Sequence, residues 1–288
     1  MRVTGKISGA LVVSLRLGLT LLVVACVCVP LSAQAMADFL SGKKEVYYLY
    51  SQLDAPVTFY CRCPILFGND GGAALDVKNC GYNRYREHIR IKGAGADSAR
   101  ATRLEVEHIM PAWEFGHERS CWTAGKRKGC QRRDAGFNVI EGDLWNLVLV
   151  IGEVNMYRSN YRFSEWNAQK FLCPDCRMSI DVKHRQVQPP EHTRGLIART
   201  YLYMAKEHGI RLSEAQRRLM QVWDQRYPPD DFECSRAELI KVLQGNDNEF
   251  VSAKCRSQAD TPNPKRQPSR IRQSEAAPLR ISGTPATE

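Results

Sequence analysis

The apolar and polar positions of the chain alternate between unbroken runs, helical stripes and stretches with no period, and each kind predicts a different element. Residues 17 to 29 are an apolar run behind Arg2, Lys6 and Arg16, followed by Ala33-Gln34-Ala35. A basic start, a short apolar run and a small-x-small site describe a secretory signal, so residues 1–35 are expected to be removed after Ala35. Thirteen apolar residues fall short of the ~20 that a spanning helix needs. A second reading starts from Val23-Val24-Ala25-Cys26, which resembles a lipoprotein processing site and would leave a lipid anchor on Cys26. Asp38 then caps an expected helix through about Tyr50, with Phe39, Val46, Leu49 and Tyr50 as an irregular apolar face. Val57 to Tyr60 reads as a short strand. Residues 61–101 are rich in Gly and Asn, without period, and predict a long loop tethered by three cysteines.

Leu104, Val106 and Ile109 predict a strand that stops near Met110, because Pro111 cannot continue a ladder. Residues 119–137 carry Arg119, Lys126, Arg127, Lys128, Arg132 and Arg133 and read as an irregular basic loop. Leu144 to Ile151 is apolar and β-branched, a buried second strand ended by Gly152, and Glu153 to Arg158 begins a helix. Behind Pro190, Ile197, Tyr201, Met204, Ala205 and His208 recur at helical spacing up to Gly209. Ser213-Glu214-Ala215-Gln216 is a capping-box pattern opening a helix with Ala215, Leu219, Val222 and Trp223 on one side, ended before Pro228. A third helix is expected from about Phe232 to Leu243, before Gly245. Residues 257–288 are rich in Pro, Ser, Gln and Arg and bury too little to offset ordering entropy, so a disordered basic tail is expected.

Composition narrows the partners. The chain has 288 residues, of which 43% are hydrophobic, enough for one large domain with tails. Its net charge is +10, and losing the three basic residues of the signal leaves +7. Such a surplus suits a polyanion, and equally an anionic membrane surface. Nine of the eleven cysteines follow the signal, a set that implies disulfides in an exported protein. A zinc site on Cys173-Pro-Asp-Cys176 lacks a second pair at suitable spacing. The pairing itself is open, with Cys121 to Cys130 and Cys234 to Cys255 as plausible local bridges. No repeat or nucleotide-binding glycine loop is present.

The chemistry concentrates at Glu107-His108, at the end of the first predicted strand. On a regular strand these side chains point to opposite faces, so one site can use both only if the backbone turns or bulges. In the segments EHIMPAWEFGHERSCW (107–122), GKRKGC (125–130), GDLWNL (142–147), GEVN (152–155), RGLIARTYLYM (194–204) and QGNDN (244–248), the sequence resembles the bacterial endonuclease I family in order and spacing. The resemblance spans about residues 39 to 256. It implies an α+β fold, a ββα-metal finger with a predominantly helical C-terminal half, stapled by disulfides, with a nuclease domain over 36–256. Eight family cysteines match Cys61, Cys63, Cys80, Cys121, Cys130, Cys176, Cys234 and Cys255, which makes Cys173 the odd one.

The resemblance further implies an exported, magnesium-dependent, sequence-nonspecific endonuclease that leaves 5′-phosphate ends, periplasmic or secreted, and a monomer. Double-stranded DNA is the expected substrate, with single-stranded DNA and RNA as further candidates. Glu107 and Asn155 match the metal ligands, His108 the general base and Arg127 the phosphate-contacting arginine. Mn2+ or Ca2+ are expected to substitute for Mg2+. Arg119, Lys126, Lys128, Arg158 and Arg194 are candidate substrate-binding cations. These residue types suit the reaction, because imidazole accepts a proton near neutrality and magnesium needs only one or two protein oxygen ligands. Two segments depart from the family: Trp145-Asn146-Leu147 replaces His-Asn-Leu, and Met156-Tyr157-Arg158 replaces Gly-Asp-Arg. They put the residues that orient the site in question, with Glu141, Asp143 and Asn146 as candidate supports. The alternative expectation is a catalytically impaired, disulfide-stapled nucleic-acid-binding protein.

Overall fold

The computed structural model describes residues 38–76, 80, 82, 100, 102–168, 171 and 176–259. Helix α1 (Phe39–Ser51) begins where expected, with the Asp38 carboxylate accepting from Ser41 N at 2.8 Å, and it buries Val46, Leu49 and Tyr50. The expected strand over Val57 to Tyr60 is a turn instead. Val57 makes an isolated bridge to Pro64, and Phe59 N donates to Leu149 O at 2.9 Å. The chain folds back there, with Arg62 at φ 54°, to reach the paired cysteines 61 and 63. Within the stretch read as a loop, β1 (Ile65–Phe67) and β2 (Ala73–Leu75) form an antiparallel hairpin.

The central hairpin pairs β3 (Leu104–His108) antiparallel with β4 (Leu147–Ile151), in a register that sets Glu107 against Val148 and His108 against Leu147. All five β4 residues are buried, so β4 is the middle of the core. Helix α6 (Gly152–Arg158) follows β4 at once, which completes the strand, excursion, strand and helix order of the expected finger.

The excursion is helical, not the irregular basic loop expected over 119–137. It contains α2 (Ala112–Gly116), α3 (Ser120–Thr123), α4 (Lys126–Arg133) and α5 (Ala135–Gly142), then a 3-10 turn at Leu144–Asn146. Helix α4 buries only Gly129 and Cys130, so it has no apolar stripe to betray it. It is held by the Cys121–Cys130 disulfide, by the Arg119–Asp134 ion pair at 2.8 Å and by close packing on α3. A Cβ at Gly129 would stand 2.7 Å from Cys121 O, so glycine permits that approach.

Three short strands follow, β5 (Arg162–Phe163), β6 (Ser179–Asp181) and β7 (Gln186–Gln188), in the order β5-β7-β6. Helix α7 (Glu191–Glu207) is buried continuously from Thr193 to Met204, more than its stripe suggested. Helix α8 (Glu214–Arg226) starts at Ser213 as expected but buries Met220 and Trp223, while Val222 is left 53% exposed. Helix α9 (Asp231–Gln244) runs from Asp230 to Gly245 at φ 80°, and α10 (Glu249–Ala259), not foreseen as a helix, is tied to it by Cys234–Cys255.

These helices grip the turn that enters β4. Buried Arg236 donates to the carbonyls of Leu144 and Leu147, and Asp143 accepts from Tyr203, His208 and Gln244 at 2.9, 2.7 and 2.9 Å. The disulfides found are Cys61–Cys176, Cys63–Cys80, Cys121–Cys130 and Cys234–Cys255, which include both expected local bridges and use all eight family positions. The signal segment, Cys26, Cys173 and the tail beyond 259 lie outside the described residues.

Candidate active site

The register of β3 contains no bulge, so Glu107 and His108 leave the strand on opposite faces. Among the described residues β3 is paired with β4 alone, and the backbone bends at Ile109 and Met110, directly after His108 at the end of the strand.

On one face, Glu107 is 3% exposed. Its Oε1 accepts from Tyr60 OH at 2.8 Å and lies 3.2 Å from the guanidinium of fully buried Arg158. Arg158 also donates to the carbonyls of His108 and Ile109. The other oxygen, Oε2, is buried with no hydrogen-bond partner. A buried carboxylate oxygen left without a donor is costly unless something positive completes it. Burial pushes the Glu107 carboxyl up to about 7, against the pull of Arg158 and Tyr60. Helix α6 packs on the same face, where Asn155 Nδ2 donates to Glu105 Oε2 at 2.9 Å. Hard divalent cations take carboxylate and amide oxygens and keep waters for the rest, and Glu107 Oε2 and Asn155 Oδ1 are oxygens of those two kinds. The described residues contain no group of three or more His, Cys, Asp or Glu side chains placed to hold a metal.

On the other face, His108 packs against Phe39 and Phe115, and its Nε2 lies 2.8 Å from Glu141 O. A carbonyl only accepts, so Nε2 carries the hydrogen and Nδ1 is left with a free lone pair. Burial, followed by the charge of Arg127, pushes the imidazole down to about 3 and keeps it neutral at any ordinary pH. The Glu141 carboxylate is itself held by Arg127 Nε at 2.5 Å and by Gln131 Nε2 at 3.0 and 3.1 Å. Arg127 lies over the Phe39 ring, and its Nη2 has no hydrogen-bond partner. An unsatisfied guanidinium donor beside an imidazole with a free lone pair is suited to a phosphate oxygen.

The strand end is fixed by Asn146, which accepts from Met110 N at 2.7 Å and donates to Met110 O at 3.0 Å. Of the expected substrate-binding cations, Lys126 and Lys128 are exposed on α4, on the helix that carries Arg127. Arg119 is half-buried against Asp134. Arg158 and Arg194 stand elsewhere than expected. Arg158 is 1% exposed beneath Glu107, and Arg194 is buried with Glu165 at 2.7 Å and Tyr227 OH at 3.0 Å, so neither presents a free guanidinium to a substrate. Tyr60 and Glu105 escaped sequence reading. Glu105 had one available signal, its period-2 offset from Glu107, whereas nothing local marks Tyr60.

The profile of the Endonuclease I family matches residues 41–255, most of the chain. The chain belongs to the endonuclease I family. An extracellular deoxyribonuclease of Aeromonas hydrophila is 45% identical over 235 residues, 80% of this chain and 96% of that protein. A periplasmic deoxyribonuclease of the same species is 45% identical over 242 residues, 84% and 94% of the two chains. Endonuclease-1 of Buchnera aphidicola is 42% identical over 202 residues, 70% and 76% of the two.

The two segments that depart from the family pattern are absorbed by the core. Trp145 is buried, its Nε1 donating to Asn246 Oδ1 at 3.1 Å and its ring 5.7 Å from Tyr203. It therefore faces the C-terminal helices, while Asn146 beside it keeps both bonds to the strand end. Tyr157 is buried as well, and Arg158 next to it retains its pairing with Glu107.

Proposed function

We propose that this protein is an exported, magnesium-dependent, sequence-nonspecific nuclease that hydrolyses DNA phosphodiester bonds, with RNA as a secondary substrate. The observation that carries the reading is the pair of orphaned buried atoms. An acceptor, Glu107 Oε2, asks for a cation on one face of β3, and a donor, Arg127 Nη2, asks for an anion on the other. A divalent cation at the first and a phosphate oxygen at the second would satisfy both. The deoxyribonuclease names of the relatives support DNA as the substrate, and their extracellular and periplasmic descriptions support export by the N-terminal segment.

Glu107 and Asn155 would hold the ion, whose charge polarises the scissile phosphate and the leaving oxygen. His108 Nδ1 takes the proton of the attacking water once a phosphate anion on Arg127 offsets part of what depresses its basicity, and the water oxygen bonds to phosphorus as the bond to the leaving oxygen breaks. Glu141 O keeps the imidazole in the tautomer that can do so, and Arg127 binds a nonbridging phosphate oxygen. Lys126 and Lys128 extend positive charge along the backbone path, contacts that carry no base information. Plasmid digestion by the oxidised mature protein is expected to nick and linearise DNA with magnesium and to stop in EDTA. Undiminished cutting in EDTA would refute the metal-dependent reading.

The shift of Glu107 gives a pH test. Its folded value lies above the unfolded carboxylate range, so proton uptake stabilises the metal-free fold at low pH, and that contribution is lost as pH rises through about 7. Magnesium needs the ionised form and competes with the proton. The rise in melting temperature on adding magnesium should therefore be larger at about pH 8 than at about pH 6. An equal rise at both would show that Glu107 is not the ligand.

A further inference from the structure

Glu105 lies on the same face of β3 as Glu107, and no part of the chemistry above uses it. Its Oε2 accepts from Asn155 Nδ2 at 2.9 Å and from Arg100 Nη2 at 2.7 Å, and its Oε1 accepts from Arg100 Nε at 3.0 Å and Arg103 Nη2 at 2.6 Å. The carboxylate is thus clamped by two arginines against the first turn of α6. Gly152 is what admits it, since a Cβ there would stand 2.6 Å from Glu105 Oε1 and 3.0 Å from Arg100 O.

The contact with Asn155 has a directional consequence. A side-chain amide has a donating and an accepting end, and an ionised carboxylate only accepts. Glu105 therefore allows one orientation of the amide, with Nδ2 toward itself and Oδ1 as the end left free. The one side-chain hydrogen bond Asn155 makes among the described residues is this one, through Nδ2. Without Glu105 the amide could rotate and present its NH2 to a cation, which is repulsive.

We propose that Glu105 is a positioning residue, which locks the Asn155 amide with its oxygen available to the metal. The inference rests on the reading of Glu107 and Asn155 as the cation ligands. It assigns the arginine pair a role too, as the clamp that keeps Glu105 charged and in place.

The test is Mn2+ binding, followed by electron paramagnetic resonance on the full mature protein without DNA. Asn155→Ala should weaken binding by about 10–100-fold, and Glu105→Gln should do the same, because a second amide no longer dictates the orientation. The double variant Glu105→Gln/Asn155→Ala should be no weaker than Asn155→Ala alone, since the two act through one group. Asn155→Asp, which leaves both arginine partners of Glu105 in place, tests the idea through charge. It should bind Mn2+ more weakly than wild type, although it adds a carboxylate, because Glu105 opposes the new charge. Combining it with Glu105→Gln should restore binding.

Tighter Mn2+ binding by Asn155→Asp, or wild-type affinity in a folded Glu105→Gln, would overturn the role of Glu105 while leaving the ligand assignment standing. Wild-type affinity in Asn155→Ala would instead remove the ligand assignment, and the proposal with it.

Discussion

Replacing His108 with alanine is expected to lower plasmid cleavage by about 10²–10⁴-fold, the usual contribution of a positioned general base, while DNA and Mn2+ binding stay within a few-fold of wild type. The imidazole touches neither Glu107 Oε1 nor the arginine clamp, so its loss leaves the cation face unaltered. It packs against Phe39 and Phe115, so near-ultraviolet circular dichroism of the variant is the control for folding. The pH profile sharpens the prediction. At limiting magnesium the acid limb of the wild type should lie toward 7, where metal-free Glu107 ionises, and it should move to lower pH as magnesium is raised, because the ion and the proton compete for one carboxylate. Cleavage within about tenfold of wild type would remove His108 from the mechanism. Equal loss of cleavage and DNA binding would assign it to the fold, and retained binding with no wild-type turnover would favour the alternative of an impaired nucleic-acid-binding protein.

Removing the Cys61–Cys176 disulfide is expected to have the largest effect on stability. The bond closes a separation of 115 residues, and loop-closure entropy gives about 4–5 kcal/mol for a loop of that order. The Cys121–Cys130 bond closes a separation of nine, for which the same relation gives about 2–3 kcal/mol. Paired serine variants followed by urea unfolding should show this ranking. Activity separates the bonds differently. Cys61 follows Tyr60, whose hydroxyl holds Glu107 Oε1, so its loss should also weaken Mn2+ binding. The Cys121–Cys130 bond holds α4, so its loss should release Arg127 and reduce DNA cleavage more than Mn2+ affinity. Equal destabilisation by the two pairs, or no loss of Mn2+ binding in the first, would contradict this division of labour.

The sequence alone determined what depends on neighbours along the chain. Asp38 and Ser213 start helices because their side chains cap the backbone three residues on, and Gly245 ends α9 because it accepts a left-handed φ. The apolar run that becomes β4 reads as buried whatever surrounds it, and the order of the matched segments placed Glu107, His108, Arg127 and Asn155 in one family. What needed the tertiary structure is contact between distant residues. Helix α4 lacks an apolar stripe because a disulfide and an ion pair hold it in place of a hydrophobic face. Val57 to Tyr60 has strand composition, but the chain turns there into Cys61 and Cys63, which are bonded to distant cysteines, and Tyr60 finds Glu107 across 47 residues. Arg158 looked like a surface cation in sequence, and folding buries it under Glu107, where its charge opposes the cost of desolvating the carboxylate. Composition specifies which groups can bind a phosphate or a metal; only packing decides which of them are already paired, and so which atoms are left free to do it.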